Sequence, residues 1–594
     1  MGTQYSRRWA TLAGYALCVA AFPASAWASN AYVVRNLTSD VPELADHTDP
    51  DLKGAWGIAE SGSGPFWISD NVSGLSRLYN STGSAIPLEV IIPHSMSAAT
   101  SAPTGTVYNG TQGFAVATGD PAAFIFATLD GTISGWNATF AKNEAQVMVD
   151  NSQSGAVYTG LAIGTSGFNT YLYAANFRGG TIDVFDSGYN PVTLANAFQD
   201  SNLPAGYAPF NIQNLAGNLY VAYALPNTGQ YLAVSGAGYG YVNVYSTAGA
   251  LLQRLVSGGP LNAPWGMAIA PAGFGDYANG LLVGNFGDGA INVFNSTTGA
   301  YSATLNNADG APIVIPNLWA LEAGNGGSGG DANAVYFTAG IPGPDNGNHG
   351  LLGRLQAAPM VTAADVVNGA SFQPAIAPNT WVTITGGNLS GTTRGWQSDD
   401  FVNAALPTGI DNVSVTVNGT YAYVEYVSPG QLNVLLPAGL TPGQAQLHTY
   451  NFGLASAAVT IQVQDVAPAF FLQGDGMHVV ATHADGSLVG PASTTTGATP
   501  AAPGETIVLY GTGFGVTSPT APEGQLITTP LTLAPPPIVT IGATASQVDY
   551  AGLIYAGLYQ INVTVPASTA SGDVPVVALV GATASPGSAA IAVE

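Results

Sequence analysis

The sequence predicts an all-β protein, a six-bladed β-propeller over residues 31–356 followed by two immunoglobulin-like β-sandwich domains. Three observations predict it. Gly numbers 76 and Pro 39 while charged residues are only 7% of the 594, a mixture that suits short strands joined by tight turns. One three-strand pattern recurs six times, its starts 48 to 55 residues apart. A different pattern then occurs twice before residue 594.

The first element is a processing segment. Arg7 and Arg8 precede the apolar run "WATLAGYALCVAAFPA", and small residues at Ala24-Ser25-Ala26 or Ala26-Trp27-Ala28 offer cleavage positions. Residues 1–28 are therefore expected to be a signal peptide, with Sec and twin-arginine export both open, and the product secreted or at the cell surface. The run is too short to read as a membrane span, so no transmembrane segment is expected in the mature chain. Cys18, the single cysteine, lies within the removed stretch. The mature chain would then have no disulfide, no zinc-thiolate site and no cysteine nucleophile.

The sixfold pattern supplies the second element. Its first strands begin at Trp56-Gly57, Thr104-Gly105, Thr159-Gly160, Phe210-Asn211, Trp265-Gly266 and Trp319-Ala320. The second strands are "FWISD", "FIFATLD", "TYLYAAN", "LYVAYA", "LLVGN" and "AVYFTAG"; the third are "LSRLYN", "GTISGWN", "GTIDVFD", "YVNVYS", "AINVFN" and "LLGRLQ". A unit of this size cannot bury both of its faces alone. Four-stranded sheets stacked face to face in a closed ring do so and leave no exposed end sheet. "AYVVRNL" at 31–37 precedes the first unit and belongs to none, so it is expected to pair as an outer strand of the last blade and latch the ring.

The words "FATLDGTISGWN", "LYAANFRGGTIDVFD", "LPAGYAPFNIQN" and "LLVGNFGDGAIN" resemble those of a family of secreted bacterial propeller proteins of unassigned function. The "PWGxA … GN … INVF" rhythm is more distantly similar to NHL-type repeats. The resemblance covers about residues 31–356 and implies an extracellular propeller without an assigned activity.

A linker at 357–364 introduces the C-terminal pair, 365–468 and 469–594. "APNTWVTITGGNLSG" returns as "APGETIVLYGTGFGV", and Gln431-Leu432-Asn433-Val434 returns as Gln560-Ile561-Asn562-Val563. Short alternating strands at this spacing read as an immunoglobulin-like sandwich in each copy. "LYGTGFG" and "LYQINVTVP" resemble the IPT/TIG-like C-terminal module of secreted Acidobacteria proteins of Solibacter type, which implies a stalk or docking unit.

Charge narrows the partners. The net charge is −24, with 10 Lys and Arg in the whole chain. Nucleic-acid affinity rests largely on cations that neutralise phosphates, so nucleic acid is excluded as a partner. An acidic surface also keeps an exported protein soluble.

Candidate functional residues follow from the propeller geometry, in which the first strand of each blade lines the channel. Trp56, Phe210, Trp265 and Trp319 hold equivalent positions and are expected to form an aromatic collar at one mouth, with Asn211 as its polar neighbour. Aromatic faces suit sugar rings and other flat apolar ligands. At the ends of the second strands stand Asp70, Asp130, Asn176 and Asn285, which could either converge on a Ca²⁺ ion or cap the following turns. His47 with Asp46, Asp49 and Asp51 forms a dense polar cluster, read as a solvated entry loop. The segment "GGSGGDANA" at 326–334 imitates a calcium nonapeptide and is read as a flexible loop. There is no HExxH pair and no P-loop. The expectation is a secreted binding or surface-interaction protein, its propeller mouth a platform for a small molecule or glycan. The rival is a metal-dependent propeller hydrolase or lyase at the same mouth.

Overall fold

The computed structural model describes residues 31–594 apart from 97, 99, 308, 344–347 and 492–496. The expected signal peptide, with Cys18, lies outside the described residues. Strands dominate, and helical structure among the described residues amounts to four three-residue 3-10 turns. No helix there is long and apolar enough to cross a membrane. The chain divides between Ala357 and Ala358 into two compact units.

The N-terminal unit is a propeller-like succession of small antiparallel sheets. Their first strands are Ala55–Ala59, Pro103–Tyr108, Tyr158–Ser166, Ala208–Leu215, Pro264–Ile269 and Leu318–Ala323. Each packs beside the first strand of the next sheet, and the sixth packs beside the first, so the circuit is closed. The closing strand is Tyr32–Ser39, which pairs antiparallel with Leu351–Ala357 from Tyr32↔Ala357 to Ser39↔Leu351. It thus latches the last sheet, and a fifth strand, His47–Thr48, adds to its outer edge.

Besides this five-stranded last sheet, one other departs from four strands. The third has three, because the segment after Thr181–Phe185 returns at Pro191, and Pro lacks the N–H that a continuing ladder needs; only an isolated bridge, Phe185↔Pro191, remains there. Apolar clusters fill the spaces between sheets, for instance Met267, Leu281 and Val283 with Val242 and Val244.

The recurring glycine after the first-strand aromatic has a steric cause. A Cβ on Gly57 would overlap the backbone oxygen of Thr104, and one on Gly266 that of Trp319. Neighbouring first strands therefore approach backbone to backbone around the axis. Where Asn211 replaces the glycine, its side chain fills the room that Gly160 leaves, and Nδ2 donates to the Trp265 carbonyl at 2.8 Å.

The C-terminal unit contains both copies of the second pattern. Trp381–Thr385 pairs with Gln431–Leu435, and Thr506–Thr512 with Leu558–Thr564. The register is the same in each: Thr385↔Gln431 and Tyr510↔Gln560, as the repeated Gln-x-Asn-Val words require. Each copy has its own apolar core, and a third cluster around Trp381, Leu435, Phe471, Ala556 and Leu558 joins them. Trp381 Nε1 donates to the Ala556 carbonyl at 3.0 Å, and the Leu406 amide to that of Gly524 at 2.8 Å. The two copies are locked together rather than strung like separate beads.

Candidate functional site: the axis of the ring

The four predicted collar residues do converge. Trp56 stacks on Trp319 with centroids 3.5 Å apart, Trp265 meets Trp319 edge-on at 5.8 Å, and Phe210 lies 5.9 Å from Trp319. Phe286 stacks on the other side of Trp319 at 4.4 Å, and Phe177 lies 4.6 Å from Phe210. The expectation of an open aromatic platform needs correction, because none of the four predicted rings is more than 4% exposed. They fill a channel that the close first strands make too narrow to stay open, and each packs against at least two other rings. Trp265 Nε1 reaches across to the Thr159 carbonyl at 3.0 Å. A hairpin from the fourth sheet covers the plug: Leu232 and Ala233 pack into the aromatic cluster, and Arg178 holds the hairpin tip through the Gly229 carbonyl and the Tyr231 ring. Asn211, also buried, ties the fourth first strand to the fifth.

The predicted ion column is corrected by register. The ladders make Asp70, Thr128, Asn176, Tyr223, Asn285 and Ala339 equivalent. Asp130 lies two residues beyond its column, where its carboxylate accepts the Ser95 amide at 2.5 Å and the Thr128 hydroxyl. Asn176 Oδ1 accepts the amides of Val157 and Gly179 at 3.2 and 2.9 Å. Asn285 Oδ1 accepts the Asn262 amide at 3.1 Å. These oxygens cap turns and are not free to gather round a cation, so the residues do not fit a Ca²⁺ site, which takes six to eight oxygen ligands. Asp70 is the exception: it is fully buried, and neither carboxylate oxygen has a hydrogen-bond partner. Burial pushes its carboxyl well above the usual range, against the pull of Arg77, with Asp49, Asp40 and Asp51 adding to the rise.

The His47 cluster divides, with Asp49 and Asp51 both drawn to Arg77. Asp46 pairs with Arg35 at 2.7 Å, while Asp49 is buried and takes Arg77 at 2.8 Å and the Tyr79 hydroxyl at 2.9 Å. His47 itself is exposed. Among the described residues no three His, Cys, Asp or Glu stand together closely enough to hold a metal. The segment 326–334 is not loose, since the Ser328 amide donates to Ser63 and the neighbouring Asn325 Nδ2 to Ser61 and Gly64, at 2.8 to 3.1 Å.

Beyond the plug the axis opens into a pocket of about 260 Å³ that no predicted residue except Asn211 and Trp265 touches. The ladders define its column of equivalent positions: Ala59, Val107, Ala162, Gln213, Ala268 and Glu322. All but Ala268 line the pocket, and the small residues leave the room that Gln213 and Glu322 enter. Gln213 Nε2 lies 3.5 Å from Glu322 Oε2. Glu60, one position further along the first strand, also lines it, with Asn214, Thr106 and Tyr108. Glu60 Oε2 is buried without a partner, beside Gly329 of the anchored loop. Burial and then the charge of Glu322 push Glu60 up to about 9, and burial pushes Glu322 up to about 7. Sequence reasoning missed both glutamates, although a column of small residues interrupted by Gln213 and Glu322 was a signal available once the register was drawn.

No family model matches the chain. It is 32% identical to the uncharacterized protein R648 of Acanthamoeba polyphaga mimivirus over 337 residues, covering 55% of this chain and 80% of the relative. It is also 32% identical to the uncharacterized protein L690 of the same virus over 333 residues, covering 54% and 85%. Among solved structures, a virginiamycin B lyase from Staphylococcus aureus is 13% identical over 55% of this chain and 99% of that one, with a TM-score of 0.31. A protein of unknown function from Bacteroides thetaiotaomicron is 12% identical over 55% and 76%, with a TM-score of 0.36. Likenesses this loose carry no functional weight. With a third of its aligned positions shared over most of R648 and L690, the chain belongs to the family of these uncharacterized mimivirus proteins.

Proposed function

We propose that this is a secreted extracellular binding protein, exported by residues 1–28, whose six-bladed β-propeller holds a small polar ligand in its axial pocket. Its two C-terminal copies act as immunoglobulin-like docking or stalk units. The observation that carries the reading is the pocket itself. It is somewhat below the ~300–1,000 Å³ of sites that take drug-sized ligands, which suits a monosaccharide or a molecule of that size. Its lining joins small apolar residues to a few convergent polar groups, Glu60, Glu322, Gln213 and Asn214, the pattern that orients a hydroxyl-bearing ligand. Carbohydrate recognition would then rest on these acceptors and not on stacking, since the collar rings are covered. The rival, a metal-dependent hydrolase or lyase, gains no support from the Asp70 column, whose oxygens are capped or isolated.

The test compares wild type with Val107→Phe, which fills the pocket from a half-buried position without touching charge. Calorimetric titration with a panel of monosaccharides and small polyols is expected to find a ligand that wild type binds and the variant loses, with unchanged melting. Equal binding by both proteins, or none across the panel, overturns the reading.

A further inference from the structure

We propose that the axial pocket selects a small ligand carrying a protonated primary amine, held between Glu60, Glu322 and Gln213. The inference rests on the pocket being the ligand site and adds the charge of its occupant.

Four features of the pocket lead there. Its titratable lining consists of Glu60, Glu322 and Tyr108, and it includes no Lys, Arg or His. Two carboxyl groups therefore share one space with no cationic side chain to let them ionise together. The charge of Glu322 adds to the rise in Glu60, whose Oε2 is buried against Gly329 without a donor, although a carboxylate accepts as many as four hydrogen bonds. A buried acceptor left unmet costs roughly 1–3 kcal/mol, more when charged. A proton on the carboxyl relieves that cost, and a cation bound beside the carboxyl lowers the cost of losing that proton.

The chemistry of the acceptors favours an ammonium over a metal ion. An alkylammonium presents three donors and no acceptor. Glu60, Glu322 and the Gln213 side-chain carbonyl are three acceptors from different sheets around one cavity. The Gln213 amide is free to present either end, because its one close side-chain contact, to Glu322, is a long 3.5 Å. A Ca²⁺ ion would demand six to eight oxygens, and no group of three acidic or imidazole side chains is available among the described residues. A neutral sugar would leave the carboxyls holding their protons, whereas an ammonium supplies the counter-charge that lets them ionise.

A physical consequence accompanies binding. In the empty pocket Glu60 holds its proton at neutral pH and Glu322 holds its own in part, and an ammonium between them drives both to ionise. Binding at pH 7 is then expected to release about one proton or more per ligand.

The experiment is isothermal titration of the full chain at pH 7 in two buffers of different ionisation enthalpy. The probes are glucosamine, putrescine, glucose and N-acetylglucosamine. Glucosamine or putrescine should bind at least tenfold more tightly than the two neutral sugars, with proton release, and which of the two is tighter separates an amino sugar from a simple amine. Glu322→Gln, close to isosteric, should erase the preference and the proton release while leaving the melting temperature within about 2 °C. Glucose and N-acetylglucosamine binding as tightly as glucosamine overturns the charge selection and leaves the pocket reading standing. Binding of none of the four probes overturns both, and a preference that survives in Glu322→Gln overturns the charge selection.

Discussion

Removing the central ring of the plug, by Trp319→Ala, tests whether the axis is packed as a core or held open as a platform. The indole is 4% exposed and touches Trp56, Trp265, Phe210 and Phe286. Truncating a buried aromatic to Ala costs about 3–5 kcal/mol. Favourable ring pairs add ~0.5–1.5 kcal/mol each beyond burial, and a stacked ring with several such partners belongs at or above the top of that range, about 4–6 kcal/mol. A ring of roughly 330 residues unfolds with an entropy near 0.7 kcal/mol/K at its midpoint, so the melting temperature should fall by about 6–9 °C. Differential scanning calorimetry of the full chain reads this from the transition that moves. Tyr301→Ala is the comparison, since that side chain is half exposed and surface changes stay within about 0.5 kcal/mol. A Trp319→Ala midpoint no lower than that of Tyr301→Ala refutes the packed core and returns the collar to the role of an open surface.

Two further outcomes follow from the same axis. Asp70 has a carboxyl whose folded-state pKa lies above its unfolded value near 3.9, so the wild-type ring loses stability as pH rises from about 4 through the folded value. Asp70→Asn, the residue type its column carries at 176 and 285, should melt with wild type at pH 4 and above it at pH 7, whereas parallel melting curves across that range would contradict the assignment. Gly266→Ala should cost ~1–3 kcal/mol or more, because its Cβ meets the Trp319 backbone, while Gly62→Ala, with open space around it, should be near neutral; equal losses in thermal melts would show that strand approach is not what the glycine serves.

The sequence made the ring legible because its repeats are written in strand register: the closing strand at 31–37 and the convergence of Trp56, Trp265 and Trp319 both follow from that. Burial of those rings was not legible. It depends on how closely Gly57 and Gly266 let neighbouring backbones approach, and on a hairpin whose Leu232 and Ala233 come from a different sheet. Asp130 was misplaced because "FIFATLD" carries two residues past the paired Thr128, a slip that only the ladder exposes. Glu60 and Glu322 were missed for another reason. Each is the lone acid in its own column of equivalent strand positions, so repetition, which revealed everything else, hid them.

The clasp between Tyr32–Ser39 and Leu351–Ala357 also orders events in time. Ser39 donates to the Gly350 carbonyl, 311 positions later. At ~5–20 residues per second, the earliest strand waits roughly 15–60 s of synthesis before its partner exists. Until then it is an unpaired edge exposed to wrong neighbours, and the whole circle must be translated before any of it is sealed.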